Sequence, residues 1–514
     1  MIRVIALIII QALLHLTTTA TTTAFTFTTL SSTMSTTPVE DTEWGLAQIP
    51  SQLPNDRNLV EEEQEEEAVE VAIIGGGLAG LAMAIGLTRA NIPCKVFERA
   101  PQLRSNSQGI LALQPNGMRA LENIHPDLPD MIVQAGCERE ELVITTIQAD
   151  GSQQDTIKKT GLEIMQKYGR KKVGLTWHKM QQLLASLLPD GVVVTSRSLV
   201  SFQDNEHEVI LHLVDNHHHS TTNGPKRTRV RAKVALACDG VFSAARRQMF
   251  PDNNNDAPLY FGQLNWATVI DTDKLPPNVH PPSAVHYFVH EGQPRWMSML
   301  NDGGSGQTFW QFRVADPEMA LSLSRNKGRG GLGLPGVKET LIPVAQSSCP
   351  LVAEAIACIP ENQIFERSIV GRRPAATWLS QPHGRLALVG DSAHGMHPNI
   401  AQGANSSFES AAAAVTAMAE EYQKSGNNLQ EVDWPAALRT YQERRKPKAD
   451  KVQRWANMMG CSQATGLVDV PKEEMAKMMD WILGGDPENH PSQETMDIIF
   501  AFDPSSHPGV SEIL

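Results

Sequence analysis

The glycines of Gly75-Gly76-Gly77-Leu78-Ala79-Gly80 have the type and spacing to hold a dinucleotide pyrophosphate. An apolar run from Val69 to Ile74 precedes them and a helical stretch from Leu81 to Arg89 follows, while Glu98, with Arg99 beside it, closes the next apolar run. Each glycine answers a separate physical need. Gly75 makes the tight turn, Gly77 lets backbone approach the pyrophosphate, and Gly80 lets helix and strand pack closely. The helix N-terminus then offers unpaired N–H groups to the phosphates, and the Glu98 carboxylate can accept from ribose hydroxyls. The turn alone leaves open whether the dinucleotide is NAD or FAD.

A parallel sheet is needed to position these residues, and the pattern along the chain supplies one. The run Val230 to Ala237, apolar enough to be buried on both faces, rejoins that sheet and ends at Cys238-Asp239-Gly240. Leu386 to Val389 is a further buried strand, ending at Gly390-Asp391. Met180 to Leu188 has helical spacing and stops at Pro189-Asp190-Gly191, after which Val192 to Val200 and Val209 to Val214 read as paired strands. Between Leu259 and Val314, Pro and Gly break the chain into short strands of an antiparallel sheet. It carries Tyr260, Trp266, Tyr287, Trp296 and Trp310, which packing and substrate contact explain equally well. A glycine-rich segment, Asn326 to Gly336, precedes an expected helix from Val337 to Ile359. One long helix starts near Gly403; another, Trp434 to Met459, has a basic centre, Arg444-Arg445-Lys446-Pro447-Lys448, read as a solvated or interdomain face.

With 514 residues, the chain exceeds one ordinary core, and its net charge of -13 argues against a nucleic-acid partner. The six cysteines lie far apart without CxxC spacing, so neither a zinc site nor a redox dithiol is expected. His217, His218 and His219 fall in a polar insertion without companion ligands and read as surface loop; no metal is expected. At the N-terminus, Arg3 precedes an apolar run, Val4 to Leu16, too short to span a bilayer and suited to a signal-peptide core. A Thr/Ser-rich stretch free of acids follows, and Thr22-Thr23-Ala24-Phe25 resembles the Ala-Phe junction of presequences that enter secondary plastids of algae. Residues 1–40 are thus expected to be a presequence with a plastid address, the secretory pathway being the alternative, and 41–68 an acidic linker. No later segment reaches transmembrane length.

Three separated pieces now come together: the glycine turn; Cys238-Asp239-Gly240-Val241-Phe242-Ser243-Ala244-Ala245-Arg246; and Gly390-Asp391-Ser392-Ala393-His394-Gly395-Met396-His397-Pro398, continuing through Asn399-Ile400-Ala401-Gln402-Gly403-Ala404-Asn405. Together they resemble the fingerprints of the class A, single-component flavoprotein monooxygenases, the para-hydroxybenzoate hydroxylase-like family, across Val69 to Gly460. Gly109-Ile110, Pro115-Asn116-Gly117 and Arg373-Pro374 add to the resemblance. It implies an α/β fold: a Rossmann-like FAD-binding domain, an antiparallel β-sheet substrate domain and C-terminal helices. The implied boundaries are 69–255 and 366–425 for the two parts of the FAD-binding domain, 256–365 for the substrate sheet and 426–514 for the helical region.

By the same resemblance the dinucleotide is FAD, bound tightly and without a covalent bond. Gly75, Gly77 and Gly80 would hold its ADP half, with Glu98 on the ribose; Leu78, Ala79, Arg99 and Gly109 are further expected cofactor-binding residues, and Asp391, following Gly390, would accept from ribityl hydroxyls. Asp239 and Gly240 would bridge FAD and the docking path of the nicotinamide cofactor, with Arg246 either holding that loop, meeting phosphate or forming a buried ion pair. Pro398, Gln402, Gly403, Ala404 and Asn405 would bring backbone against the isoalloxazine ring and aim a helix start at its N1–C2 edge, favouring the negative charge of reduced flavin. The chain departs from the family at Trp177, where an Arg usually contacts flavin, at Ser410, where an acid commonly follows Glu409, and at Ser392, where Ala is frequent.

The implied reaction has transient NADPH or NADH reduce FAD, after which O2 adds at flavin C4a and the hydroperoxide delivers one oxygen atom to a small aromatic substrate. Phenol hydroxylation would want a general base, and His286, Tyr287, His290 and Arg295 lie in the sheet expected over the flavin, though nothing in the sequence marks them as catalytic. Zeaxanthin epoxidases belong to the wider family, so epoxidation of a carotenoid or other isoprenoid is the second reading. Gln402 to Ser410 differs from the Gly-Gly-Cys and Glu-Asp pattern of those enzymes. An FAD reductase or dehydrogenase that does not activate O2, and a flavin-binding protein without turnover, are further alternatives.

Overall fold

The computed structural model of the protein describes residues 65–501 apart from 105–108, 140–141, 149, 151, 159, 217–226, 252–255, 280–284, 291–295, 327–329, 348, 461–476 and 478–490. The expected presequence, His217 to His219, Arg295 and, of the stretch from Cys461, residues 461–476, 478–490 and 502–514 lie outside the described residues.

A seven-stranded sheet carries the dinucleotide turn. Strand Glu65–Ile74 lies at its centre, parallel to Cys94–Phe97 on one side and to Arg227–Ala237 on the other. Leu386–Leu388 pairs in parallel with the end of Arg227–Ala237, so the ends at Ile74, Ala237 and Leu388 lie side by side. Val71, Ala72 and Ile73 are fully buried, as a parallel strand covered on both faces requires. The central strand begins inside the acidic run read as linker. Opposite charge explains this, because Glu66 pairs with Arg231 at 3.3 Å and Glu67 with Lys95 on the neighbouring strands.

Helix Leu78–Arg89 packs on helix Gly403–Lys424, whose Ala411, Ala412, Ala413 and Ala414 are fully buried. The approach is close: a Cβ on Gly86 would stand 2.8 Å from Val415. Helix Trp434–Gly460 lies against the same long helix, and here the sequence reading needs correction. Its basic centre is not simply a solvated face. Arg445 is buried and paired with Glu409 at 2.8 Å, and Lys448 reaches the other oxygen of Glu409 at 2.7 Å. The acid position that follows Glu409 in relatives is here Ser410, whose hydroxyl meets His394 Nε2 at 2.8 Å and accepts from Arg445 Nε at 3.2 Å.

An eight-stranded sheet forms the second layer. Leu259–Asp271, Gln307–Val314, Trp296–Asp302 and Val285–His290 run antiparallel in sequence across it, and Leu142–Ile147 joins Val285–His290 in parallel. Strand Phe365–Gly371 also belongs here, pairing with Leu259–Asp271, so the expected boundary at 365 falls at the start of a strand of this sheet. Alternation separates two faces. Trp266, Trp296, Trp310, Phe288 and Phe312 pack on helices Val337–Gln346 and Pro350–Cys358, which makes those three tryptophans core. Ala267, Val269, Met299 and Phe309 cluster on the other face with Tyr287 and Ile110. The single helix expected over Val337 to Ile359 is two helices, because Pro350 lacks an N–H and holds Cys349 extended at φ -146° and ψ 90°.

The Glu409 cluster yields a prediction. Despite complete burial, Lys448 and Arg445 hold the Glu409 carboxyl below its ordinary pKa of 4.5, so its contribution is full above that value and is lost as pH falls through the lowered folded value. Glu409→Ala leaves Arg445 buried without a counter-charge and should cost about 3–5 kcal/mol at pH 7. Urea unfolding of both proteins from pH 7 to pH 3 should show that difference shrinking only below the ordinary carboxylate range; a pH-independent difference would contradict the assignment.

Candidate dinucleotide cleft

The three parallel strand ends and the helices that leave them build one cleft. Gly75 has φ +101°, and a Cβ there would stand 2.5 Å from the Cys238 carbonyl oxygen. At Gly80 a Cβ would stand 2.0 Å from the Gly75 carbonyl oxygen, so only glycine lets helix and strand meet. Gly77 is different: a Cβ there meets nothing within 4 Å. It caps helix Leu78–Arg89 without a side-chain hydrogen bond, so no capping side chain takes the first-turn N–H groups of that helix. Glu98 is held at the rim by the Gly76 N–H at 2.6 Å and the Ala100 N–H at 2.8 Å, one on each carboxylate oxygen. Arg99 is exposed beside it, and its carbonyl accepts from Asn216 Nδ2 at 2.8 Å. The Gly109 carbonyl accepts from the Trp177 N–H at 3.0 Å.

At the second strand end, Asp239 Oδ2 accepts from the N–H groups of Ala244 at 2.7 Å and Ala245 at 3.3 Å, while Oδ1 has no partner among the described residues. Burial raises its carboxyl pKa against the pull of these donors and of Ser243. Gly240 follows at φ +82°, with open space where a Cβ would be. Arg246 resolves differently from a phosphate contact. It is fully buried; Nε and Nη2 donate to Asp256 at 2.6–3.0 Å, Nη1 to the carbonyls of Ser392 and Ala393, and Nη2 also to that of Arg373. All five guanidinium donors are taken, leaving none for a ligand. Of the three roles open to it, Arg246 fills those of buried ion pair and loop tie.

At the third strand end Gly390 has φ +68°, and a Cβ there would crowd Ala79 and Ser407 at 3.1 Å. Asp391 is exposed to the cleft, without a side-chain partner among the described residues. Ser392, where Ala is frequent, donates to the Ala237 carbonyl at 2.6 Å and accepts from the Val389 N–H at 3.0 Å, binding two strand ends together. Pro398 and Asn399 are exposed in a 3-10 turn, and Ala401 adopts φ +52°. Helix Gly403–Lys424 starts without a side-chain cap, with open space at Gly403 and Ala404 partly exposed. Gln402 and Asn405 are buried scaffold. Gln402 Oε1 accepts from Asn116; Asn405 Oδ1 accepts from the Gln114 N–H and its Nδ2 donates to the carbonyls of Ala112 and Ala401.

Of the sheet candidates whose side chains are described, Tyr287 lies on the cleft side. His286 is on the opposite face, stacked on Phe288 at 4.1 Å, with Nε2 2.6 Å from Thr145 Oγ1, which itself donates to Asp155. The side chain of His290, like all of Arg295, lies outside the described residues. The structure adds residues that motif reading missed. Arg313 Nη1 donates to Asn399 Oδ1 at 2.9 Å, and His397, buried beneath that turn, meets Gln263 at 3.2 Å and Phe261 edge-on. Burial and Arg313 hold His397 well below its ordinary pKa, so it is neutral. Gln181 donates to the Gly76 carbonyl at 2.6 Å and accepts from the Arg104 N–H. Trp177, the departure from the family arginine, has the Arg104 guanidinium 4.7 Å above its ring, so a cation from another segment stands at that place. The period-two pattern of Gln307–Val314 was the available signal for Arg313; nothing local marked Arg104.

The cleft fits FAD: two uncapped helix starts, open space at Gly77, Gly240 and Gly403, a rim acid, and two carboxylates with unused oxygens. Gly77→Ala should fold with the apo melting temperature of the parent yet bind FAD at least about tenfold more weakly, because its Cβ enters the pyrophosphate space. Gly80→Ala should lower the apo melting temperature itself. Equal effects of the two on both readouts would reject this division.

The sequence matches the FAD binding domain family over residues 68–322 and 358–456. It is 24% identical over 430 residues to a chloroplastic zeaxanthin epoxidase of Spinacia oleracea, covering 82% of this chain but only 58% of that enzyme. It is 25% identical over 401 residues to an aurachin C monooxygenase/isomerase of Stigmatella aurantiaca, covering 76% of this chain and 91% of the other. Among solved folds, Klebsiella pneumoniae HpxO complexed with FAD and uric acid superposes with a TM-score of 0.63 at 18% identity, covering 85% of this chain and 97% of that one. A salicylate hydroxylase substrate complex superposes at 0.55 and 19% identity, covering 84% and 98%. With the cleft built from the same three strand ends that the motifs marked, the chain belongs to the FAD binding domain family, among the class A FAD-dependent monooxygenases.

Proposed function

We propose that the protein inserts one oxygen atom of O2 into a small aromatic substrate at the expense of NAD(P)H, the other atom leaving as water. The observation that carries this reading is the position of the apolar wall of Ala267, Val269, Met299 and Phe309 on the sheet face tied, through Arg313 and Asn399, to the turn at Pro398. A flat apolar substrate on that wall would lie beside the turn that meets the isoalloxazine ring. When bound, FAD supplies the redox chemistry with NAD(P)H and O2.

The chain supplies placement and charge. Asp391 accepts from the ribityl hydroxyls, and the uncapped start of helix Gly403–Lys424 favours negative charge at the reduced ring. The apolar cluster keeps water from the reacting carbon. With one glycine turn of this kind, held by FAD, the nicotinamide cofactor would bind transiently along the Asp239-Gly240 side. Epoxidation of an isoprenoid is the second reading, favoured by the zeaxanthin epoxidases among the relatives. A plastid address is part of the proposal, supported by the Ala24-Phe25 junction and by those chloroplastic relatives.

The test is a screen of aromatic and carotenoid substrates for NAD(P)H oxidation under 18O2. The expected result is one 18O per product molecule from an aromatic. Labelled carotenoid instead would select the second reading, and hydrogen peroxide with no labelled product from any substrate would overturn both. Residues 1–64 fused to a fluorescent protein should direct it into the plastid of a diatom; secretion of the fusion would refute that address.

A further inference from the structure

Pro398 and Asn399 are exposed, yet the residue before them, His397, is fully buried. It joins the turn to two other elements. Its backbone N–H donates to Asn457 Oδ1 at 3.0 Å on helix Trp434–Gly460, and Asn457 Nδ2 donates in turn to the Arg372 carbonyl at 2.8 Å. Its imidazole Nδ1 accepts from the Asn399 N–H at 3.2 Å and so caps its own turn. Its Nε2 lies 3.2 Å from Gln263 Oε1 on strand Leu259–Asp271, and the ring meets Phe261 of the same strand edge-on, with centroids 4.7 Å apart.

These contacts fix the proton of the ring. Gln263 Oε1 accepts, so Nε2 carries the hydrogen and Nδ1 keeps the lone pair that the Asn399 N–H needs. A protonated ring would set N–H against N–H at that bond, and burial together with the Arg313 cation holds His397 neutral. The neutral imidazole combines two tasks that other side chains divide. Asn would cap the turn but fall short of Gln263, while Phe would fill the space but neither cap nor donate. The turn is thus held from two sides. Met396 and Ile400, which flank it, pack with Val452, Trp455, Met496 and Ile499 in a cluster of helices, whereas His397 and the 2.9 Å bond from Arg313 to Asn399 tie it to the eight-stranded sheet.

We propose that His397 is a positioning residue for the flavin: by capping Asn399 and bonding Gln263 it fixes how far the Pro398 turn stands from the eight-stranded sheet, and thereby where the isoalloxazine ring rests. The inference needs FAD in the cleft but not oxygen insertion, so it stands apart from the reaction proposed above. Helix Gly403–Lys424 is held by its own packing at Ala411 to Ala414, so loss of the cap would move the turn and leave the helix start in place. The ring would then settle away from the positive helix end. Reduced flavin, which carries the negative charge, would lose more stabilisation than oxidised flavin, and the flavin potential would fall.

The experiment compares His397→Asn with His397→Phe in the full chain, measuring apo melting temperature, FAD dissociation constant and flavin midpoint potential. His397→Asn keeps an acceptor for the Asn399 N–H and loses volume; His397→Phe keeps a ring against Phe261 and loses both hydrogen bonds. The apo melting temperature should fall in both and shows that FAD is offered to folded protein. His397→Phe should bind FAD about tenfold more weakly and at a lowered potential, while His397→Asn should stay within about twofold of the parent and keep its potential. A ring that merely fills space gives the reverse order, and that result overturns the inference. So does His397→Asn losing as much as His397→Phe. Should His397→Phe not fold, Gln263→Met decides: it removes the acceptor for Nε2–H and should weaken FAD binding about threefold with a lowered potential, and parental values there overturn the inference. No turnover is measured, so failure of the 18O2 screen would reject oxygen insertion and leave this result standing.

Discussion

One buried carboxylate, Asp256, holds the two layers in register. It receives Arg246 and Arg372 together, and those two guanidiniums also donate to the carbonyls of Val241, Arg373, Ser392 and Ala393. The loop after Asp239, the short helix after Gly390 and the end of strand Phe365–Gly371 are thereby fixed to one another. Two cations on one acid are tolerable in the interior because backbone carbonyls absorb the remaining donors. Loss of that satisfaction would loosen the strand ends and the second sheet together, since the same two guanidiniums reach both.

From this tie the cleft follows by sterics. Gly75 and Gly80 bring a strand, its helix and the Cys238 strand end into contact, and Gly390 brings the third strand end against the same helix start. The backbone is thus the wall of the site, and side chains enter at the edges. Glu98 and Asp239 are each oriented by two backbone N–H groups, so their directions do not depend on a ligand to set them.

What could be read from sequence divides along the same line. Gly75, Gly80 and Gly390 are legible because a close backbone approach excludes every other residue, a constraint that acts over a few positions. The strands were legible from apolar runs, and the cleft-side alternation of the second sheet was available in the order of its residues. Arg246 was not, since its five acceptors come from three segments up to 147 positions away. Trp177 read as a lost cation because Arg104, which lies over its ring, is 73 positions earlier and carries no motif. Arg445 looked solvated inside a basic run, and only the fold reveals that Glu409 on another helix meets it. Charge partners over long separations leave no periodic trace, whereas steric exclusion does.

Arg313 joins these two kinds of constraint. Its Nη1 is committed to Asn399, in the turn that leads into helix Gly403–Lys424, while its Nε is left over on the wall where a substrate would lie. A residue shared in this way makes recognition and orientation inseparable: a ligand that satisfies the free donor is positioned relative to the turn, and one that does not is left to slide on an apolar surface. Since a displacement of about 1 Å can lower a reaction rate about a hundredfold, the geometry favours selection by alignment over selection by affinity alone. On the proposed reading, the apolar wall would set how much of a ligand is buried, and the cation would set where its reacting carbon stands.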